Sequence, residues 1–348
     1  MYLLRQFIVT LGLLQLEFVA VAAESTPKAL AAPNSVLVTA KAVPTDTVLS
    51  RASKAQRWPT MLPAQQVENA TMAPLLAATM AGKRVVAVGD HGVILLSDDG
   101  SHFRQAKVVP VRAMLTTVQF LDERRGFAAG HDGVVLSTSD GGESWELLRS
   151  TPGLEQPILS LHFDDRGHGL AVGLYGWAIE TVDGGRNWRE RHIESGDDAD
   201  RHMFHIFASA RGTLLIAGEA GTLYRSTDGG TSWMTVDIGN KGSLWFGTTL
   251  SDGTILVCGM RGHLYRSRDD GQTWQALHTD STQSLTGITQ QQDGSVIVAG
   301  MSGTILRSTD AATTFTMEQR AEREPLTAVL AVGSRPPVLL SLVGLIVH

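Results

Sequence analysis

A carboxylate and an aromatic ring stand at a spacing in this chain that could serve catalysis. Residues 226–233 read S-T-D-G-G-T-S-W, which places Asp228 five positions before Trp233. A carboxylate beside an aromatic surface could act as a general acid or base on a bound substrate. The same letters also describe a hairpin turn, in which the aspartate bonds backbone N–H groups and glycine takes the positive-φ position. The two interpretations differ in whether the octet is unique.

The octet is not unique, because six related copies occur along the chain. Their aromatic residues lie 42, 43, 45, 41 and 41 positions apart. Repetition favours a turn-holding role over catalysis, although the first copy has Leu96 where Ser or Thr is usual and the sixth has Ala311-Ala312 in place of glycines. The residues expected to hold these turns are Asp98, Asp140, Asp183, Asp228, Asp269 and Asp310, with Trp145, Trp188, Trp233 and Trp274.

A second signature keeps the same period and indicates the architecture. A Gly-x-x-Gly turn precedes each aspartate, with its first glycine nine or ten residues upstream, as in Gly259/Gly262. A period of 40–45 residues is that of one four-stranded propeller blade. In the fifth unit the strands are expected at 244–250, 254–258 and 263–267, with an outer strand beginning near Thr273-Trp274.

An incomplete seventh unit follows the six. Segments 326–332, 337–342 and 345–347 have strand character but no turn and outer strand after them. The segment T45-D-T-V-L-S50 is a suitable strand at the other end of the chain, and pairing the two would close the ring and cover exposed edges. The sequence therefore predicts an all-β fold, a single seven-bladed β-propeller over 45–348 whose last blade is closed by N- and C-terminal strands.

The first residues have the composition of an export signal. Arg5 precedes an apolar stretch from Phe7 to about Ala22 that ends in small residues, which predicts a signal peptide over 1–23. An uncleaved membrane anchor is the weaker alternative, because the stretch is short and contains Glu17. Residues 24–44 are rich in Ala, Pro, Thr and Ser, as is usual for a linker.

Charge and cysteine content exclude several kinds of protein. The net charge of −6 on 348 residues gives no general attraction to nucleic acid or anionic membranes. Cys258 is the only cysteine, which excludes an internal disulfide and a cysteine-based zinc site. The segment 194–205 contains Asp197, Asp198, Asp200, His202 and His205, which could ligate a metal or could simply form a solvated loop. We predict no catalytic residue, no metal and no cofactor.

Positive charge recurs at one register of three successive units. Arg225, Arg266 and Arg307 each precede the serine of an octet, so adjacent blades would place them in a row. Such a row could bind a protein partner, because each guanidinium offers a fork of hydrogen-bond donors. Alternatively, the long apolar stems only cover strand ends.

The pattern Ser/Thr-x-Asp-x-Gly-x-x-Trp resembles the Asp-box or BNR repeat over roughly residues 74–348. Single-propeller length, an export signal, G-x-x-G leading into S-T-D-G-G-x-x-W, and the preceding arginine make the chain most similar to the photosystem II assembly and stability factor family. This resemblance implies a non-enzymatic scaffold that holds a membrane protein. We expect an exported monomer in the periplasm, or in the thylakoid lumen if the organism is photosynthetic.

Sialidases also carry Asp-boxes, so an exported glycan hydrolase or glycan-binding propeller is the alternative. A sialidase needs a tyrosine nucleophile with acidic partners. After the signal region only Tyr175, Tyr224 and Tyr265 remain, and the last two occupy the same position of successive units. This pattern is typical of repeat packing and favours the scaffold.

Overall fold

The computed structural model describes residues 58–239 and 241–346, and within them the chain is a ring of seven β-sheets. Each of the first six sheets has four antiparallel strands in chain order, and the described part of the seventh has three. The predicted seven-bladed propeller is confirmed. No α-helix occurs in this part of the chain, and short 3-10 turns join several strands.

The strands follow each other from the channel outward in every blade. The first four blades consist of β1 to β4 (Leu75–Ala81, Arg84–Gly89, Ile94–Ser97, Arg104–Gln105), β5 to β8 (Leu115–Phe120, Gly126–Gly130, Val135–Thr138, Glu146–Arg149), β9 to β12 (Ile158–Phe163, Gly169–Gly173, Ala178–Thr181, Arg189–Arg191) and β13 to β16 (Met203–Ala208, Leu214–Gly218, Thr222–Ser226, Met234–Asp237). The last three consist of β17 to β20 (Leu244–Thr249, Ile255–Gly259, Leu264–Ser267, Gln275–Leu277), β21 to β24 (Leu285–Gln290, Val296–Gly300, Thr304–Ser308, Thr316–Gln319) and β25 to β27 (Leu326–Leu330, Val338–Ser341, Gly344–Ile346).

Burial explains why the second strand of each blade is mainly apolar. Every residue of β18 and of β22 is buried, because each face of a blade packs against a neighbouring blade. One core cluster joins Leu256 and Cys258 of the fifth blade to Ile288 and Val298 of the sixth. Cys258 thus packs as a small hydrophobe, and burial raises the pKa of its thiol well above the ordinary value.

The Gly-x-x-Gly turns bring two parts of each blade into close contact. A Cβ on Gly130 would lie 2.0 Å from the carbonyl oxygen of Met114, so only glycine fits there. That approach lets the N–H of His131 donate to the same carbonyl at 2.9 Å, and Met260 donates to Ser243 in the fifth blade at the same distance. The first glycine of the motif therefore fixes the start of the inner strand against the turn that joins the second and third strands of the same blade.

Threonine hydroxyls join neighbouring inner strands around the channel. Thr116 Oγ1 donates to the carbonyl of Ile158 at 2.6 Å, and Thr286 Oγ1 donates to that of Leu326 at 2.9 Å. Thr327 Oγ1 donates to the carbonyl of Leu75 at 2.6 Å, which joins the seventh blade to the first. The predicted closing strand at 45–50 lies outside the described residues.

A segment that precedes the first blade lies along the ring. Residues 58–73 contact the connection between the first two blades, where Arg112 donates its N–H to the carbonyl of Thr60 at 2.7 Å. Near its other end, the carbonyl of Thr71 lies against Gly344 of the seventh blade. Within residues 58–346, apart from 240, no helix is long and apolar enough to cross a membrane.

Candidate functional site

The box aspartates hold their own turns. In the fourth blade, Ser226 Oγ donates to Asp228 Oδ1 at 2.8 Å, and the N–H of Ser232 donates to the same oxygen at 2.9 Å. Ser232 Oγ donates to Asp228 Oδ2 at 2.5 Å. These hydrogen bonds lower the pKa of Asp228 to about 2, so its carboxylate stays ionised. Both of its oxygens accept hydrogen bonds from the turn.

The tryptophan side chains also donate hydrogen bonds within these turns. The indole Nε1 of Trp233 donates to the carbonyl of Gly230 at 3.1 Å, three residues earlier. The same bond occurs in three further blades, from Trp145, Trp188 and Trp274. The aspartate and the tryptophan of the octet thus both act within the turn. Asp183, Asp269 and Asp310 accept equivalent bonds.

The first blade departs from the prediction at its aspartate. The hydroxyl of Ser97 donates to Asp99 Oδ1 at 3.0 Å, and the N–H of His102 donates to the same oxygen at 2.8 Å. Asp98 instead accepts from Arg84 Nε at 2.6 Å. Assigning Asp98 to the turn was therefore wrong, because this loop is one residue shorter and Ser97, rather than Leu96, occupies the hydroxyl position.

Two of the three arginines expected in a row are turned towards the next blade. Arg225 donates through Nε to the carbonyl of Asp270 and through Nη2 to its Oδ2, both at 2.9 Å. Its side chain is only 11% exposed and that of Asp270 only 9%. Burial alone would raise the pKa of Asp270, but hydrogen bonds from Ser209 and Thr213 and the charge of Arg225 hold it below the ordinary value.

Arg266 makes the equivalent contact one blade further on. Its Nη1 donates to the carbonyl of Ala312 at 2.9 Å, and its Nη2 donates to Gln275 Oε1 at 2.8 Å. The residue is 7% exposed. Arg225 and Arg266 thus bind the Asp-box turns of the fifth and sixth blades, a structural role made by their guanidiniums rather than by the apolar stems that the sequence suggested.

Two further arginines make the same kind of contact, and the sequence pattern did not reveal them. Arg84 of β2 donates to the carbonyl of Gly141 at 3.2 Å, and Arg191 of β12 donates to that of Gly230 at 3.1 Å. Both carbonyls belong to the box turn of the following blade. Because these arginines lie on different strands, no common register in the sequence relates them.

Arg307 is the exception among the three. Its side chain is 42% exposed, and its Nε lies 3.9 Å from Glu318 Oε2, beyond hydrogen-bond distance. It lines a cavity of about 600 Å³ together with residues 291–293 and 333–337. A partner-binding role for Arg225, Arg266 and Arg307 stays a prediction, and only Arg307 presents its guanidinium to a cavity in this way.

The acidic segment 194–205 does not collect its side chains around one point. Asp198 forms an ion pair with Arg201 at 2.6 Å, whereas the Nδ1 of His202 accepts the N–H of Tyr175 at 3.0 Å. His205 lies inside the ring, stacked on Phe246 with ring centroids 4.1 Å apart. Among residues 58–239 and 241–346, no three His, Cys, Asp or Glu side chains are grouped to hold a metal ion.

His205 also accepts a backbone hydrogen bond between blades. Its Nδ1 accepts the N–H of Gly247 at 3.3 Å, which requires that nitrogen to be unprotonated. Burial, with a smaller contribution from nearby His162, lowers the pKa of His205 to about 3. Tyr224 and Tyr265, the tyrosines that recur in successive blades, are buried in the cores.

Comparison with known proteins identifies a family match in the middle of the chain. The model of the family described as "Photosynthesis system II assembly factor YCF48" matches residues 142–298. This stretch runs from the box of the second blade to β22 of the sixth. No curated protein sequence matches the chain.

Solved structures share the fold at low sequence identity. One titled "YCF48 bound to D1 peptide" is 19% identical with a TM-score of 0.65, over 81% of this chain and 94% of that one. YCF48 from Cyanidioschyzon merolae is 18% identical with a TM-score of 0.62, over 81% and 96%. A streptogramin B lyase is 12% identical with a TM-score of 0.68, over 80% and 94%. At these identities the likeness concerns the fold alone. The chain is an Asp-box β-propeller whose residues 142–298 match the photosystem II assembly factor family, which confirms the resemblance predicted from its repeats.

Proposed function

We propose that the protein is an exported, non-enzymatic assembly factor that binds a membrane-protein partner. The observation that carries the proposal is the family match over residues 142–298, which contains the Asp-boxes of the third, fourth and fifth blades and the end of that of the second. The similar structure bound to a D1 peptide supports a partner of the same class for this chain. Photosystem II is the client that this comparison suggests.

The chemistry of the octets supports a binding role over catalysis. The carboxylate of Asp228 is engaged by Ser226 and Ser232, and a general acid or base needs to reach a substrate proton. Tyr224 and Tyr265 are packed in the cores, whereas a sialidase nucleophile must reach the substrate. The fold itself decides nothing, because a lyase shares it.

A crosslinking experiment tests the proposal. The tagged mature protein is crosslinked in membranes of its own organism, and captured proteins are identified by mass spectrometry against an unrelated exported bait. We expect an integral membrane protein to be enriched, and a labelled D1 peptide then tests photosystem II as the client. Enrichment of no membrane protein, together with hydrolysis or binding of sialosides by the purified protein, would instead establish the glycan-directed alternative.

Export forms part of the proposal and has its own test. The apolar run and the small residues at 20–22 predict cleavage that leaves Ala23 or Glu24 as the mature N-terminus. Sequencing the N-terminus of protein isolated from the periplasm or the thylakoid lumen should find one of these two residues. Intact Met1 in the cytosolic fraction would contradict export.

A further inference from the structure

A surface cavity of about 600 Å³ lies between the sixth and seventh blades, on the side of the Asp-box turns. Its walls are residues 291–293 from the β21–β22 turn, Arg307 from β23, and residues 333–337 from the β25–β26 turn. We propose that this cavity binds carboxylates of an extended peptide. The inference rests on the proposed function in one respect, namely that the ligand is a polypeptide. The cavity and its charges do not depend on that function.

The contacts at this junction differ from those at the two preceding ones. Between the fourth and fifth blades, Arg225 donates to the carbonyl of Asp270. Between the fifth and sixth blades, Arg266 donates to the carbonyl of Ala312. At the junction of the sixth and seventh blades, residues 333–337 stand opposite Arg307, and the part of the seventh blade that the structure describes, up to residue 346, has no Asp-box turn. Arg307 therefore faces a cavity, whereas Arg225 and Arg266 face an Asp-box turn.

A second cation faces the same cavity. Arg335 is exposed, and its N–H donates to the carbonyl of Val332 at 3.1 Å, which fixes the turn that carries it. Within residues 58–239 and 241–346 its guanidinium has no hydrogen bond or ion pair. The one carboxylate in the lining, Asp293, accepts from the N–H and the hydroxyl of Ser295 at 2.9 and 2.6 Å. Two arginines against one occupied carboxylate leave the lining with a net positive charge.

Two glutamine side chains in the lining add hydrogen-bond donors to the two guanidiniums. Gln292 Oε1 accepts the hydroxyl of Ser334 at 2.8 Å, a bond that also links the two blades. Gln291 Oε1 lies 3.1 Å from the Ser295 hydroxyl, whose single hydrogen is donated to Asp293. Each of these glutamines also carries an NH₂ group, which can donate to a carboxylate in the cavity. A site with these amides and two guanidinium forks fits carboxylates, which accept bidentate bonds from arginine.

The size of the cavity favours a peptide over a small inorganic anion. Ligand pockets are commonly about 300–1,000 Å³, and a single phosphate would fill only a small part of this one. A peptide can place an acidic side chain or its C-terminal carboxylate on one arginine while its backbone reaches the glutamine amides. Binding of this kind weakens as salt screens the charges.

Fluorescence anisotropy tests the inference on the whole mature protein. The probes are a fluorescein-labelled octapeptide with two glutamates and a free C-terminal carboxylate, and its counterpart with glutamines and a C-terminal amide. We expect the acidic peptide to bind at least tenfold more tightly than the neutral one. The double variant Arg307→Gln/Arg335→Gln should lower that affinity tenfold or more, with an unchanged melting temperature because both residues are exposed.

The matched control is the double variant Arg186→Gln/Arg211→Gln, which removes two exposed arginines from the third and fourth blades. Its affinity for the acidic peptide should equal that of the wild type. Equal binding by the Arg307→Gln/Arg335→Gln variant, equal binding of the neutral peptide, or complete displacement by inorganic phosphate at the peptide's own concentration would overturn the inference.

The membrane crosslinking experiment separates this inference from the proposed function. If the wild type and the Arg307→Gln/Arg335→Gln variant capture the same membrane protein equally well, the cavity is not the binding site and the proposed function stands. If the wild type captures no membrane protein but binds the acidic peptide through Arg307 and Arg335, the cavity binds carboxylates and the proposed function fails.

Discussion

The box aspartates act on the turn that contains them, and a single substitution can measure that role. Asp140 accepts the hydroxyl of Thr138 at 2.8 Å and the N–H of Ser144 at 3.0 Å. Replacing Asp140 with alanine leaves those donors without their acceptor, and we expect the free energy of unfolding to fall by about 1–2 kcal/mol. Chemical denaturation measures the loss, with exposed Asp165→Ala as a control that should change little.

The same variant also tests the catalytic interpretation of the octet. Once folded, the Asp140→Ala protein should bind its partner as the wild type does, because the carboxylate contacts only its own turn. A variant of wild-type stability that had lost function would show that the carboxylate acts on a ligand instead.

His205, which is half-buried in its stack with Phe246, makes stability depend on pH in a defined window. Its pKa is about 3 in the folded protein, below the ordinary value near 6.5, so the unfolded chain binds more protons between these values. Folding stability therefore falls as pH drops below about 6.5, by up to about 1.4 kcal/mol per pH unit from this residue. Carboxylates remain ionised down to about pH 5, so the range from pH 6.5 to 5 reports mainly histidines.

The expected signature is a shallower pH dependence in the variant His205→Gln. Unfolding free energies measured at pH 7.5, 6.5, 5.5 and 5 should decline less steeply in this variant than in the wild type. The remaining slope is expected from His131 and His162, whose pKa values burial also lowers. Identical slopes in the two proteins would contradict the assignment of His205 as a neutral acceptor.

Between blades, arginines connect a strand of one sheet to the box turn of the next. Arg225→Gln would leave the carboxylate of Asp270, which is 9% exposed, without its charged partner. Loss of one member of a buried pair is strongly destabilising, so we expect a decrease of about 2–4 kcal/mol in the free energy of unfolding. Arg307→Gln at the same register should cost less than about 0.5 kcal/mol, because that side chain is exposed and its ion pair with Glu318 is long and open to solvent.

Denaturant unfolding of the two variants side by side gives the comparison, since both carry the same substitution at equivalent strand positions. A small and equal effect would mean that Arg225 does not connect the blades. That outcome would favour the prediction from the sequence that all three arginines bind a partner.

The blades could be predicted from the sequence because their signals are local. The hydroxyl at Ser226, the carboxylate at Asp228 and the indole at Trp233 act within one turn, so their spacing alone indicates the hairpin. Arg225 could not be assigned in this way, because its acceptor is Asp270 in the next blade, 45 residues further on. Asp98 and Asp99 were confused because adjacent aspartates satisfy one pattern and only the backbone path distinguishes them.

Closure of the ring concerns the whole molecule. Thr327 joins the seventh blade to Leu75 of the first, yet β27 pairs with no further strand within the described residues. An open edge of this kind invites pairing, and the segment T45-D-T-V-L-S50 has the strand character to supply it. We therefore predict that the N-terminal segment contributes the outer strand of the seventh blade.

Two deletions of the mature protein test this closure. Removal of residues 45–50 would take away the strand that we predict to complete the seventh blade, and should lower the melting temperature by on the order of 5 °C or more. Removal of residues 24–40 takes away only linker sequence and should leave the melting temperature unchanged. Because both deletions lie before the described propeller, the comparison isolates the contribution of the strand. Equal melting temperatures would show that the seven sheets close without the N-terminal strand, held by contacts such as that between Thr327 and Leu75.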